Sequence, residues 1–174
     1  MTAGSANAMP EEAVPARAPV LVLGLGNLLL QDDGIGLQLL AALAAEDEWA
    51  GIEFVDGGTQ GVALLPLLGG RRALLVLDAI ALGAAPGTVH AVTVDEALLI
   101  VACRPRTSHG SNARELLMLA RLLDQMPPHV VIAGVEPGVV RTGIGLTREV
   151  EDALPAALEQ ARAVLREMAS RATV

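Results

Sequence analysis

The sequence predicts an α/β fold: a three-layer sandwich in which a mostly parallel twisted sheet of about five strands carries helices on both faces. Apolar runs of strand length alternate with helix-patterned segments along the whole chain. The runs are continuously apolar, as in parallel strands buried on both faces. With 174 residues, 52% apolar and 18% charged, the chain suits one hydrophobic core. Because crossovers are right-handed, few strand orders remain, and we predict the flavodoxin-like order.

The predicted strands are short apolar runs that end at Gly, Pro or Asp. Four of them read as buried strands, at 20–25, 52–55, 73–77 and 129–135. Residues 88–94 instead alternate between apolar and polar, which indicates a less buried edge strand. The sequence Asp-Gly-Gly-Thr at 56–59 is typical of a turn that closes the second strand.

Helical periodicity fills the segments between the strands. The predicted helices cover 34–45, 60–68, 108–125 and 147–169. The first places Ile35, Leu39 and Leu43 on one face. Pro66 should kink or shorten the second helix, and Thr147 is expected to cap the last one.

Residues 1–17 differ in composition from the rest and are rich in Ala, Pro and Glu. They have neither the basic start nor the apolar centre of a signal peptide. We therefore expect a disordered leader at 1–17 and a single domain at 18–174. No uninterrupted apolar run has the length of a membrane span, so we expect a cytoplasmic protein with no membrane partner.

Charge and composition exclude several classes of function. The net charge is −8 and every basic residue is arginine, so the chain gains little from counterion release on nucleic acid. Phe54 and Trp49 are the only aromatic residues, which excludes a base-stacking surface. Cys103 is the only cysteine, which rules out an internal disulfide and a Cys-pair zinc site. We therefore expect no nucleic-acid partner. We also expect the protein to be a monomer.

The segment 20–36 is the most informative part of the chain. It reads as a buried strand, a Gly-Asn turn, and then two adjacent carboxylates, Asp32 and Asp33, at the start of a helix. A dinucleotide-binding loop would have its third glycine where this chain has Leu29. Paired carboxylates repel phosphate but attract a cation. The segment therefore favours a cation as ligand.

Three residues form the candidate site: Asp33, Asp78 and His109. In the predicted strand order, strands one and three are neighbours, and their carboxyl ends bring Asp33 and Asp78 to one crevice. Two carboxylates and an imidazole suit a borderline divalent metal such as nickel or zinc. The alternatives are a helix N-terminal charge for Asp33 and a loop or capping role for His109. An unpaired Asp78 at the end of a buried strand would be costly.

The remaining reactive side chains are assigned other roles. His90 and His129 are interpreted as surface or packing residues. Cys103 lies near Arg104 and Arg106, which could lower its pKa, but a lone cysteine is usually an inert packing residue. The chain contains no His-Glu-x-x-His helix and no Gly-x-Ser-x-Gly elbow, so the common protease motifs are absent.

Several short motifs in a fixed order resemble the nickel–iron hydrogenase maturation endopeptidases, over Val20 to about Ala169. They are Gly-Leu-Gly-Asn at 24–27, Asp-Asp-Gly-Ile-Gly at 32–36, Asp-Gly-Gly-Thr at 56–59, Leu-Asp-Ala at 77–79, Ser-His at 108–109, Gly-Val-Glu-Pro at 134–137 and Gly-Ile-Gly-Leu-Thr at 143–147. Each motif is weak alone, but their order makes the set specific.

This resemblance implies an endopeptidase that removes a C-terminal extension from a hydrogenase large-subunit precursor once nickel is in place. It implies that nickel arrives with the substrate and is met by Asp33, Asp78 and His109, which are also the implied catalytic residues. Asp33 stands where some members have glutamate, and Gly110 where some have glutamine.

Three other positions of the motifs are interpreted as structural. Asp56 is expected to build a turn, and Glu136 and Pro137 are expected to be structural. The mechanism stays open: the nickel and a carboxylate activate a water, or the metal only positions the precursor and Asp33 or Asp78 is the general base.

Three rival functions share part of this pattern. The first is a non-catalytic nickel-binding accessory protein that uses the same three residues. The second is a peptidyl-tRNA hydrolase, which shares the Gly-Leu-Gly-Asn turn but is disfavoured by Leu28 and the acidic charge. The third is a nucleotide-binding module, disfavoured by Leu29 and the paired carboxylates.

Overall fold

A computed structural model describes residues 17–96 and 111–172. Its strands are β1 (Val20–Leu25), β2 (Ile52–Gly58), β3 (Ala73–Ala79), β4 (Val89–Thr93) and β5 (His129–Val135). They form one sheet in the order β2-β1-β3-β5-β4. All neighbouring pairs are parallel except β4, which runs antiparallel to β5. The predicted mostly parallel five-stranded sheet is confirmed.

The order keeps β1 beside β3, as the flavodoxin-like prediction requires. It differs from the flavodoxin order in the last two strands, because β4 lies outside β5 at the edge of the sheet. The edge position fits the alternating pattern of this segment, since an edge strand is only half covered.

The helices are α1 (Ile35–Ala44), α2 (Ser111–Leu122) and α3 (Arg148–Ala172), with 3-10 helices at Gln31–Gly34 and Gly61–Leu67. The second predicted helix is thus a 3-10 helix that contains Pro66, whose missing N–H disfavours a longer α-helix. The predicted helix at 108–125 ends at Leu122, and two residues later Asp124 takes a left-handed φ of 54°. Its first predicted residues lie outside the described ones.

The two faces of β1 show how the layers are built. Val20 and Val22 pack in a cluster with residues of α1 and α3. Leu21 and Leu23 point to the other face and pack with residues of α2 and the Gly61–Leu67 helix. Because successive side chains of a strand alternate between faces, both faces of the sheet are covered and the three-layer sandwich is confirmed.

Strand β2 is longer than predicted. Residues 56–58 do not form a turn; they continue the strand to Gly58, and Asp56 pairs with Gly24. The register with β1 shifts between Gly24 and Leu25, and such a bulge accommodates the extra residue. The turn expected from Asp-Gly-Gly was therefore wrong.

Among the helices of the described ranges, none has both the length and the hydrophobicity that a bilayer-spanning segment needs.

Candidate active site

Asp33 lies at the carboxyl edge of the sheet, in the 3-10 helix that follows the turn after β1. The turn contains Gly26, whose N–H donates to the carbonyl oxygen of Gly58 over 3.0 Å. Gly26 has a φ of +125°, and a Cβ at this position would overlap the carbonyl oxygen of Asp33. Only glycine fits there, so the turn can pack directly against the backbone of Asp33.

Asp78 is the penultimate residue of β3 and is partly buried. Its Oδ1 accepts a hydrogen bond from the N–H of Ala79 over 2.8 Å. Across the sheet it pairs with Gly134 of β5, where a Cβ would overlap the carbonyl oxygen of Asp78. Each candidate carboxylate therefore has its backbone packed against a glycine from another segment.

The electrostatic environment of Asp78 is unusual for a carboxylate. Burial is the largest effect and raises the pKa of Asp78 to about 7; the Ala79 N–H opposes the shift, and the negative charge of Asp33 adds to it. A group with a pKa near 7 is populated in both protonation states at neutral pH, as an acid–base catalyst needs. The two aspartates thus interact electrostatically at the carboxyl edge of the sheet.

Asp32 has a different role from its neighbour. Its side chain is fully buried. Oδ2 accepts hydrogen bonds from the N–H groups of Gly138 and Val139, over 2.9 and 2.8 Å, and Oδ1 accepts from the N–H of Thr147 over 2.6 Å. The hydroxyl of Thr147, expected to cap α3, donates to Asp32 Oδ2 over 2.9 Å. Asp32 therefore anchors the loop that precedes α3.

Main-chain hydrogen bonds join this loop, residues 138–147, to the turn before Asp33. The N–H of Gly143 donates to the carbonyl oxygen of Leu29 over 2.9 Å, and the carbonyl oxygen of Gly143 accepts from Gln31 over 3.1 Å. The N–H of Asp32 donates to the carbonyl oxygen of Val139 over 3.2 Å. The loop is thereby held beside the candidate carboxylates.

Glu136 is also buried and supports the edge of the site. It accepts hydrogen bonds from the N–H groups of Leu82 and Gly83, each over 2.8 Å, and contacts His90 Nε2 over 3.0 Å. Burial opposes ionisation, but these hydrogen bonds outweigh it and hold the pKa of Glu136 below its ordinary value. This geometry matches the structural role expected for Glu136, and it makes His90 a partner of that residue.

His109 and Cys103 lie outside the described residues. Within 17–96 and 111–172, no group of three or more His, Cys, Asp and Glu side chains is arranged to hold a metal ion. In the described part of the chain, the candidate site is thus represented by Asp33 and Asp78. The sequence gives no sign that Asp32 and Asp33 have different roles, because the two adjacent residues are of the same type.

The sequence matches the model of the hydrogenase maturation protease family over residues 37–164. It is 34% identical over 161 residues to the hydrogenase expression/formation protein HupD of Rhizobium leguminosarum bv. viciae, covering 91% of this chain and 80% of that protein. It is 35% identical to the hydrogenase 2 maturation protease of Escherichia coli K12, covering 85% and 91% of the two chains.

Solved structures show the same similarity. The fold matches the hydrogenase maturating endopeptidase HybD of E. coli with a TM-score of 0.75 and 35% identity, over 85% of this chain and 92% of that one. The [NiFe] hydrogenase maturation protease HybD of Thermococcus kodakarensis matches with a TM-score of 0.69 and 27% identity, over 84% of this chain and 98% of that one.

Some of the sequence relatives are longer than this chain. The match to the HupD protein of Thiocapsa roseopersicina spans 65% of that protein's length.

Proposed function

This chain belongs to the hydrogenase maturation protease family, and from that membership we propose that it removes the C-terminal extension of a nickel–iron hydrogenase large-subunit precursor. We propose further that cleavage follows nickel insertion. The nickel is then part of the substrate and not a resident cofactor.

The observation that carries the proposal is the pair of carboxylates Asp33 and Asp78 at the carboxyl edge of the sheet. Burial and the nearby charge of Asp33 raise the pKa of Asp78 to about 7. A divalent cation that enters between them would relieve this repulsion, because it supplies the missing counter-charge. Nickel in the precursor is such a cation, and the sequence adds His109 as a third proposed ligand.

The same pair can carry the hydrolysis. A water attacks the scissile carbonyl and gives its proton to Asp78 or Asp33, whichever is ionised. The tetrahedral intermediate collapses, and the protonated carboxyl returns the proton to the departing amine. In a second route the substrate's nickel lowers the pKa of the attacking water. Both routes require an ionised carboxylate at this place.

The test mixes the purified protein with precursor in three forms: nickel-loaded, iron-only and metal-free. Mass spectrometry follows release of the extension. We expect cleavage of the nickel-loaded form alone, and none by Asp78→Asn. Equal cleavage of all three forms would contradict nickel gating. Binding of the nickel-loaded form with no cleavage would instead support a non-catalytic accessory protein.

A further inference from the structure

Three large apolar side chains are exposed beside the candidate carboxylates. Leu28, Leu29 and Ile144 have exposed fractions of 51%, 63% and 88%. Leu28 and Leu29 belong to the turn before Asp33, and Ile144 belongs to the loop 138–147. We call these three residues the apolar lip.

The lip is held in place by the backbone. The hydrogen bond between the carbonyl oxygen of Leu29 and the N–H of Gly143 joins the two segments, and Leu30 forms a parallel bridge with Gly143. The buried carboxylate of Asp32 anchors the far parts of the same loop, at Gly138 and Thr147. A backbone fixed in this way loses little freedom on binding, which favours affinity.

The lip is continuous with the candidate site. The side chain of Leu28 lies over Gly34, the residue after Asp33: a Cβ placed at Gly34 would be 3.0 Å from Leu28 Cδ2. The lip therefore borders the segment that carries Asp33.

Charge identifies the kind of segment that fits. In a chain of net charge −8, the segments 27–31 and 138–147 contain a single charged residue, Arg141. Arg141 is turned toward Gln31, with its Nε 3.3 Å from Gln31 Oε1. The crevice beside them attracts a cation, but the lip itself offers apolar surface.

We propose that the apolar lip binds an uncharged, apolar segment of the precursor polypeptide next to its scissile bond. This inference rests on the proposed function and adds a specificity determinant to it. The nickel would anchor the precursor at the carboxylates, and the lip would fix the direction and register of the chain.

The test compares Leu29→Ser and Ile144→Ser with Leu122→Ser. Leu122 is a matched control because it is 80% exposed and ends α2 at the opposite edge of the sheet, before β5 begins. With nickel-loaded large-subunit precursor of the same organism, each lip variant should raise KM and the Kd for the precursor about tenfold, as expected for lost apolar contact. Turnover at saturation should change less than twofold, and Leu29→Met should restore binding.

The outcomes separate this inference from the proposed function. Cleavage with unchanged KM in both lip variants, at wild-type thermal stability, would overturn the lip alone. If the wild type binds the precursor without cleaving it, and the lip variants weaken that binding, the protease proposal is overturned and the binding role of the lip is supported. If light scattering shows that the wild type is a dimer and that the lip variants are monomers, the occupant of the lip is a second copy of this chain, and the inference is overturned.

Discussion

Asp33 adds its negative charge to the effect of burial on Asp78, and the pKa of Asp78 rises to about 7. The two residues are 45 positions apart in the sequence, yet parallel strands bring them to the same edge of the sheet. Such a pair is destabilising in the isolated protein and useful only when a cation or a proton neutralises it.

Asp78→Asn should change how stability depends on pH. In the wild type the pKa of Asp78 rises on folding from 3.8 to about 7, so the folded state binds more protons between those values. The free energy of unfolding of the wild type therefore falls as the pH rises through that window. Above pH 7, Asp78→Asn should be more stable than the wild type by at most about 4 kcal/mol.

Urea denaturation at pH 5 and pH 8 checks this expectation. The gap between variant and wild type should be wider at pH 8. Asp56→Asn, at an exposed position, is the control and should follow the wild type at both pH values. The same gap at both pH values would show that Asp78 does not titrate in this range.

Asp33→Asn should slow precursor cleavage, whereas Cys103→Ser should not. Loss of the Asp33 charge should slow cleavage at least about a hundredfold, as expected for a group that acts in proton transfer or cation binding. Cys103→Ser should stay within about twofold of the wild type, because a lone thiol is expected to be a packing residue. Rates from mass spectrometry check both, and a folded but inactive Cys103→Ser would point to a cysteine nucleophile.

Asp32→Ala should destabilise the fold strongly. The substitution removes a fully buried acceptor and leaves the N–H groups of Gly138, Val139 and Thr147 without it, at a cost of about 3–5 kcal/mol. The free energy of unfolding from urea titration measures the loss. Asp56→Ala is the matched control, and we expect it to change stability by less than about 0.5 kcal/mol. Similar small losses of unfolding free energy in both variants would show that Asp32 does not anchor the loop.

Gly134→Ala should separate β3 from β5 where Asp78 lies. Its Cβ would overlap the carbonyl oxygen of Asp78 in the middle of the sheet, and relief of that overlap should cost about 3 kcal/mol or more. Gly69→Ala is a suitable control, because no atom lies within 4 Å of its Cβ position; it should shift stability by less than about 1 kcal/mol. Thermal unfolding of both variants provides the comparison, and equal melting temperatures would contradict the close approach.

Much of this fold is readable from local sequence, for physical reasons. Strands buried on both faces need uninterrupted apolar runs, and β1 and β3 have them. The position of Asp78 follows, since a carboxylate after such a run must lie near the edge of the sheet. The end of β2 could not be read in this way, because Asp56 and its glycines resemble a turn and the bulge opposite Leu25 depends on β1.

The candidate site was less accessible to sequence reasoning. Asp32 and Asp33 are neighbours of one residue type, and only contacts with the loop 138–147 assign them different roles. Likewise Thr147 has the ordinary pattern of a helix cap, but its hydroxyl donates to Asp32. Contacts between residues more than a hundred positions apart leave no periodic pattern in a sequence.

The hydrogen bonds of Asp32 also set an order for assembly during synthesis. They join positions separated by 106 to 115 residues, so the full set cannot form until the chain has been made beyond Thr147. A ribosome makes the N-terminal part first, and β1 and β3 can pair before Asp32 has any of these partners. At that stage the carboxylate of Asp32 lacks the donors that it binds in the complete fold. The turn that carries Asp33 should therefore become rigid only when β5, the loop 138–147 and α3 dock.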